Sequence, residues 1–192
     1  AAGRNRPDQQ AVGEWLLQST CMQRRLWKQR QISCGPITVR VFPTLIGIDQ
    51  LYTSVVRALG NSRLEADLLD LDLSAYQHQI DAHQLESLMK KLKSLGVRLR
   101  IDASIGQLLP TVALPFDHLR IAGNDADSGD DTVSRATTEA LLVLARKLGR
   151  HADAENVTTS TQLRGLKTRS CFSAEGDRIS GPLSATDLAA FV

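Results

Sequence analysis

This sequence lacks the features that mark membrane-spanning, disulfide-rich and nucleic-acid-binding chains. No apolar run approaches the roughly 20 residues that a helix needs to cross a bilayer. The three cysteines, Cys21, Cys34 and Cys171, are widely spaced and odd in number, which excludes a disulfide framework and zinc-ligand spacing. The net charge of +2 arises from interspersed charges without a basic stripe, so we expect no nucleic acid polymer as a partner. We expect a soluble protein in a reducing compartment, either cytoplasmic or the cytoplasmic part of a membrane-anchored protein.

What the chain does contain is enough apolar sequence for one folded domain. Its 192 residues are 42% hydrophobic and 23% charged, a mixture typical of globular proteins. This length suits a single domain with a sizeable core. Residues 1–8 are polar and include Pro7, so we expect them to form a terminal tail. Residues 9–192 are expected to form the domain.

Helical and strand-like segments alternate along that domain. Apolar spacings of three and four predict a helix at about 9–30, whose inward face we expect to carry Val12, Trp15, Leu16, Met22 and Leu26. The same spacing predicts three further helices, ended by Gly60, Gly96 and Gly149. In the last of these, the expected inward face carries Val133, Ala136, Ala140, Leu141, Leu144 and Leu148.

Short apolar runs between the helices predict buried parallel strands at 37–42, 68–73, 97–102, 117–121, 151–155 and 170–174. Strands that alternate with helices indicate an α/β fold with right-handed crossovers. The pattern alone leaves open a TIM-like barrel and an open doubly wound sheet.

Two groups of candidate metal ligands, an acidic loop and the histidines, lack the spacing that a metal site needs. The loop at 124–131 reads NDADSGDD, but its glycine is out of place for an EF-hand, so we interpret it as a solvated loop. The four histidines, His78, His83, His118 and His151, show no metal-ligand spacing. We therefore predict no metal site and no catalytic dyad from these residues.

Three longer stretches resemble one known family. They are LKSLGVRLRID at 92–102, LPFDHLRIA at 114–122 and LARKLGRHADAENVTTSTQLRGL at 144–166. These look like the segment that leads into DDFG, the LPVDxLKID motif and the segment around AEGVE in EAL domains, which are cyclic di-GMP phosphodiesterases. Weaker matches at 37–43, at 68–75 and in the tail SGPLSATDL follow in family order. Six ordered matches argue against an unrelated barrel that matches by chance.

The resemblance implies a TIM-like (β/α) barrel of the EAL type. The first two strands of that barrel, with the EAL tripeptide itself, have no counterpart in this sequence. We therefore expect about six βα units and a barrel that is incomplete at the N-terminus.

The resemblance also implies that most of the family's site residues are replaced. EAL phosphodiesterases hold two divalent cations, magnesium or manganese, with acidic and amide side chains at the carboxyl ends of barrel strands. Arg40 aligns with a ligating Asn, and Ala75 aligns with the final Glu of LEITE. Ala103 replaces the second Asp of DDFG. Arg120 replaces the catalytic Lys of LKID, and Ala122 replaces its Asp.

A few family positions keep a polar or acidic side chain. Asp102 matches the first Asp of DDFG, and Glu155 matches the first Glu of AEGVE, whose second Glu is Thr158 here. Glu175 aligns with the Gln of QGY. Two carboxylates do not make a two-metal cage, so we interpret Asp102 and Glu155 as remnants that cap a helix or pair with Arg40 or Arg120.

The resemblance thus implies a catalytically inactive EAL-like signalling module in cyclic di-GMP pathways, such as those that control motility and biofilms. The expected partners are other signalling proteins, cyclic di-GMP and a second copy in a homodimer, with no resident cofactor. The candidate ligand-binding residues are Arg40, Asp102, Arg120, Glu155 and Glu175. The alternative is an active phosphodiesterase that uses magnesium or manganese and takes its missing ligands from residues outside this chain.

Overall fold

A computed structural model of the chain describes residues 7–77, 79–103, 113–122 and 132–192. The loop at 124–131 and His78, both considered above, lie outside the described residues. The chain divides into two compact units. The first contains residues 1–100 and 185–192, and the second contains residues 101–184.

Helices and parallel strands alternate throughout the described residues. In chain order the elements are α1 (Pro7–Gln29), β1 (Ile37–Arg40), α2 (Ile48–Ser62), β2 (Leu69–Asp72), α3 (Ser74–Gln77), α4 (Ala82–Ser94), β3 (Arg98–Asp102), β4 (His118–Ala122), α5 (Thr132–Lys147), β5 (His151–Glu155), α6 (Ser160–Thr168), β6 (Ser173–Ala174) and α7 (Ala185–Phe191). A 3-10 turn at Ala66–Leu68 precedes β2. Helix α1 begins at Pro7, inside the segment expected to be a tail.

The strand pairing confirms the predicted α/β class. In the first unit, β1 pairs in parallel with β2, and β2 pairs in parallel with β3. In the second unit, β4 pairs in parallel with β5, and β5 pairs in parallel with β6. The predicted strand at 151–155 has the observed bounds, whereas the one at 170–174 contains only two residues in strand conformation.

Strand β2 shows how this fold positions its charged residues. Its sequence is LDLD, and Leu69 and Leu71 are fully buried. Because side chains alternate between the two faces of a strand, Asp70 and Asp72 share the other face. Both aspartates are also almost completely buried, so this face needs polar partners within the protein.

The predicted inward face of α1 is wrong. Val12, Trp15, Met22 and Leu26 are all exposed, and Leu16 is half-buried. The buried face instead carries Gly13, Leu17, Cys21, Arg24 and Trp27, and α1 packs on α2 and β1. Arg24 is tolerated there because its guanidinium donates to the carbonyl oxygens of Gly35 and Cys34, each at 2.9 Å. The large apolar residues of α1 therefore form a second apolar row outside the core.

Two smaller predictions about the helices also fail. Helix α2 does not end at Gly60 but continues to Ser62 and ends at Arg63, which has the left-handed φ of 54°. In α5, Ala136 and Ala140 are exposed, while Thr138, Leu142 and Ala145 join Leu141 in the buried face. Gly96 and Gly149 do end their helices, at φ values of 90° and 65°.

Within the described residues, no helix is long and apolar enough to cross a membrane. All three cysteines carry free thiols, as their spacing predicts.

The buried thiol of Cys21 predicts a pH dependence of stability. Burial raises the pKa of the Cys21 thiol from 9.0 to about 11. Above pH 9 the unfolded chain therefore loses this proton while the folded chain keeps it, so the unfolded state binds fewer protons and stability falls as pH rises from about 9 to about 11. Denaturant unfolding over this range should show a smaller fall for Cys21→Ala than for the unmodified chain. Equal slopes for the two proteins would contradict the assignment.

Candidate functional site

The carboxyl ends of β1 and β2 carry an ion pair in the first unit. The Nε of Arg40 donates to Oδ2 of Asp72 at 2.8 Å. The other carboxylate oxygen of Asp72 accepts from the backbone amide of Ser74 at 2.9 Å and from its hydroxyl at 2.5 Å. Asp72 is only 2% exposed, whereas 42% of the Arg40 side chain is exposed. The guanidinium and the start of α3 together compensate a buried negative charge.

A second polar cluster surrounds Asp70, two residues before Asp72 on β2, and takes its partners from β1 and β3. The Nη2 of Arg100 donates to Oδ2 of Asp70 at 3.1 Å, and the hydroxyl of Thr38 donates to the same oxygen at 3.4 Å. Parallel register places Thr38 beside Asp70 and Asp72 beside Arg100. The polar face of β2 is thus paired with side chains from both neighbouring strands.

In the second unit, one arginine pairs with two strand-end carboxylates. Arg120 in β4 is buried, and its Nη1 lies 3.0 Å from Oε2 of Glu155 at the end of β5. Its Nη2 lies 3.7 Å from Oδ2 of Asp102 at the end of β3. The carbonyl of Arg120 also accepts from the amide of Ala103 at 2.9 Å. We call Asp102, Arg120 and Glu155 the Arg120 cluster.

A buried histidine–aspartate pair joins His118, the first residue of β4, to Asp153 in the middle of β5. The Nδ1 of His118 is 2.8 Å from Oδ2 of Asp153, and the hydroxyl of Ser173 donates to Oδ1 of Asp153 at 2.5 Å. The ring centroids of His118 and His151 are 5.1 Å apart. The ring of His151 in turn contacts that of the exposed Phe172, with a distance of 3.9 Å between the centroids. Every hydrogen-bond partner of Asp153 named here comes from a neighbouring strand, so this cluster helps to fix the strands in register.

Glu175, which directly follows β6, belongs to none of the ion pairs described above. Its side chain is exposed, and among the described residues no ion pair holds it. Its backbone amide donates to Ala154 at 2.8 Å, and its carbonyl accepts from Val157 at 2.9 Å. Thr158 takes part in the cap of α6, where its amide donates to Oε1 of Gln162 at 2.7 Å. Neither residue contributes to the Arg120 cluster.

The described residues do not fit a divalent cation. Magnesium requires several oxygen ligands in near-octahedral geometry. In the Arg120 cluster, a guanidinium lies between the two retained carboxylates, and it would repel a second positive charge at short range. Among the described residues, no three His, Cys, Asp or Glu side chains are grouped closely enough to hold a metal ion.

The structure therefore brings together three of the five predicted ligand-binding residues, namely those of the Arg120 cluster. It confirms the interpretation that Asp102 and Glu155 pair with an arginine. Arg40 pairs instead with Asp72, which the sequence comparison did not single out. The LDLD alternation was the available signal, since it places Asp70 and Asp72 on one strand face.

A family model described as the EAL domain matches residues 9–182 of this chain. The chain belongs to the EAL domain family. This match covers both units and includes every predicted site residue.

Curated relatives and a solved structure agree with this assignment. The chain is 29% identical over 185 residues to the bifunctional diguanylate cyclase/cyclic di-GMP phosphodiesterase MucR of Pseudomonas aeruginosa, covering 94% of this chain and 27% of MucR. It is 27% identical over 189 residues to the cyclic di-GMP phosphodiesterase NbdA of the same organism, covering 94% of this chain and 24% of NbdA. The chain thus spans about a quarter of the length of these relatives.

The solved structure is the MucR phosphodiesterase in complex with c-di-GMP. It matches 93% of this EAL domain and 74% of its own chain, with 28% identity and a TM-score of 0.85. This similarity confirms the predicted fold, an EAL-type (β/α) barrel of which this chain contains a part.

Proposed function

We propose that this EAL domain is a catalytically inactive signalling module in cyclic di-GMP pathways. The relatives named as cyclic di-GMP phosphodiesterases support the pathway. The Arg120 cluster supports inactivity, because a guanidinium lies between Asp102 and Glu155, the two candidate metal ligands that the resemblance leaves. Ala75, Ala103 and Ala122 offer no oxygen ligand in their side chains to replace those that the family uses. Three free thiols agree with the reducing cytoplasm that this role implies.

Within this proposal, protein interaction ranks above cyclic di-GMP binding. Arginine can bind phosphate bidentately, so Arg40 and Arg120 are the residues that would contact a nucleotide. Both arginines are already paired with carboxylates, Arg40 with Asp72 and Arg120 with Glu155. A phosphate that recruited either arginine would have to weaken such a pair and would also approach a carboxylate of like charge.

The first test is a hydrolysis assay with cyclic di-GMP in the presence of magnesium or manganese. We expect no turnover from this chain under conditions in which the MucR phosphodiesterase is active. Turnover that is lost in Asp102→Ala would contradict the proposal and favour the alternative, an active phosphodiesterase. Repeating the assay on a longer protein would show whether residues outside this chain supply the missing ligands.

The second test is a calorimetric titration with cyclic di-GMP. We expect no heat with micromolar affinity if the module acts through protein interaction. Micromolar binding that is weakened by Arg120→Gln, and not by the exposed substitution Arg164→Gln in α6, would reverse the ranking in favour of nucleotide binding.

A further inference from the structure

A cavity of about 490 Å³ lies between α2 and α4, and both of these helices belong to the first unit. We call it the α2–α4 cavity. The residues that line it come from α2, from α4 and from the N-cap of α4, and Ile48 and Leu88 supply its apolar surface. Sites for small molecules have volumes of about 300–1,000 Å³. The α2–α4 cavity is therefore large enough for a small organic molecule.

The α2–α4 cavity does not adjoin the edge at which the barrel is incomplete. The family strands that this chain lacks would precede α1 and adjoin β1. Helix α1 packs on the flank of α2 that carries Ser54 and Asn61, which hydrogen-bond to side chains of α1. At about 100° per residue, Asp49, Tyr52 and Thr53 lie on another flank of α2, the one that faces α4. The missing strands therefore do not account for the opening between α2 and α4.

Five polar side chains of the lining form no hydrogen bond or ion pair with any other residue that the structure describes. They are the side chains of Asp49, Tyr52, Thr53, Ser87 and Lys91. None of these residues is buried, so water solvates their polar groups in the free protein. A ligand can therefore bind them without breaking a contact within the protein, in contrast to the arginines at the strand ends, which are already paired with carboxylates.

The charged groups of the α2–α4 cavity have opposite signs at its two ends. The two helices run in the same direction, because each of them joins two parallel strands of one sheet. Asp49, in the first turn of α2, and Asp81, the N-cap of α4, lie where the helices begin. Lys91 lies in the last turn of α4, and the hydroxyls of Thr53 and Ser87 line the cavity between these ends. The lining thus matches a ligand with a cation at one end and an anion at the other.

We propose that the α2–α4 cavity binds a free amino acid with a basic side chain, and that arginine is the best match. The guanidinium of arginine has five N–H donors, which suit the two carboxylates of Asp49 and Asp81. Its carboxylate then pairs with the ammonium of Lys91. A nucleotide matches less well, because its net negative charge would face two carboxylates and only one lysine. This proposal does not depend on the proposed function.

Calorimetric titration with three related ligands tests the match of charges. Agmatine is arginine without its carboxylate, and citrulline is arginine with an uncharged side chain. For arginine, a small ligand in an open site, we expect a Kd of about 0.1–1 mM. Agmatine and citrulline should each bind about fivefold more weakly at constant ionic strength, because each loses one ion pair. No binding of arginine up to about 10 mM, or equal binding of all three ligands, would overturn the proposal.

Three variants of exposed residues test the position of the site. Lys91→Gln should weaken the binding of arginine about fivefold and leave that of agmatine unchanged, because agmatine has no carboxylate to pair with Lys91. Asp49→Asn should weaken the binding of both ligands. Asp67→Asn is the matched control, since Asp67 is an exposed aspartate of the same unit outside the cavity, and it should change neither affinity. Equal effects of Asp49→Asn and Asp67→Asn, or of Lys91→Gln on the two ligands, would show that the α2–α4 cavity is not the site.

Discussion

Replacement of Arg120 by alanine is expected to lower the free energy of unfolding by about 3 kcal/mol, the lower end of the range for breaking a buried ion pair. The loss arises because Glu155 and Asp102 would face each other without the guanidinium that lies 3.0 Å and 3.7 Å from their nearest oxygens. The lower end of the range applies because both carboxylates keep partial contact with solvent, with 20% and 31% of their side chains exposed. Denaturant unfolding measures the change directly.

The same variant tests whether the guanidinium excludes a cation. Millimolar magnesium or manganese should restore part of the lost stability in Arg120→Ala, because a cation can then neutralise the two carboxylates. The unmodified chain should show no such gain. Arg120→Lys serves as the conservative control, since it keeps the charge but loses the planar fork that reaches two partners. Equal stabilisation of the unmodified chain and Arg120→Ala by magnesium would show that the arginine does not occupy the cation's position.

Replacement of Gly176 by alanine is expected to cost more, about 3–5 kcal/mol, from backbone strain and steric overlap together. Gly176 has a φ of 145°, a region that residues with a Cβ rarely adopt. A Cβ at this position would lie 2.3 Å from the backbone nitrogen of Val157 and 2.4 Å from its carbonyl oxygen. That backbone is held in place, because Val157 donates to Glu175 and accepts from Arg178. The backbones of Gly176 and Val157 therefore cannot separate without a large cost in free energy.

Gly181→Ala provides the matched control for this prediction. Gly181 lies five positions along the same segment, is exposed, and has open space where a Cβ would be. Its replacement should change the stability by less than about 1 kcal/mol, and the direction should be towards higher stability. A similar, small effect of both substitutions would mean that the turn after β6 adapts more readily than the close contact with Val157 indicates.

The sequence predicted the elements of this fold well because each element carries its own local signal. In α4, Leu85, Leu88, Met89 and Leu92 repeat with helical spacing, and all are buried. Gly96 ends the helix that precedes β3 because its φ of 90° is open to glycine. Helix α1 lacks such a clear signal, since it has two apolar rows. Spacing identifies both rows as helical but does not tell which of them packs on α2 and β1.

The candidate site was predictable to a smaller extent. The resemblance to the family motifs aligns Ala75 and Ala103 with acidic positions, and this expectation needs only the sequence. The pairing of Arg120 with both Asp102 and Glu155 is not predictable in this way, because these residues come from three strands and meet only when the strands are side by side. Glu175 aligns with a family site residue yet lies outside the Arg120 cluster. A sequence alignment indicates which position corresponds to a family residue, but it does not indicate what the side chain at that position contacts.

What the sequence determined by itself is the order of helices and parallel strands and the membership of the EAL domain family. The tertiary structure alone decided which row of α1 is buried, which carboxylate Arg40 pairs with, and which carboxylates Arg120 pairs with. The physical reason is the range of the interactions involved. Periodicity and turn chemistry act over a few residues, whereas the ion pairs and the buried face depend on side chains that lie roughly 20–35 positions or more apart in the chain.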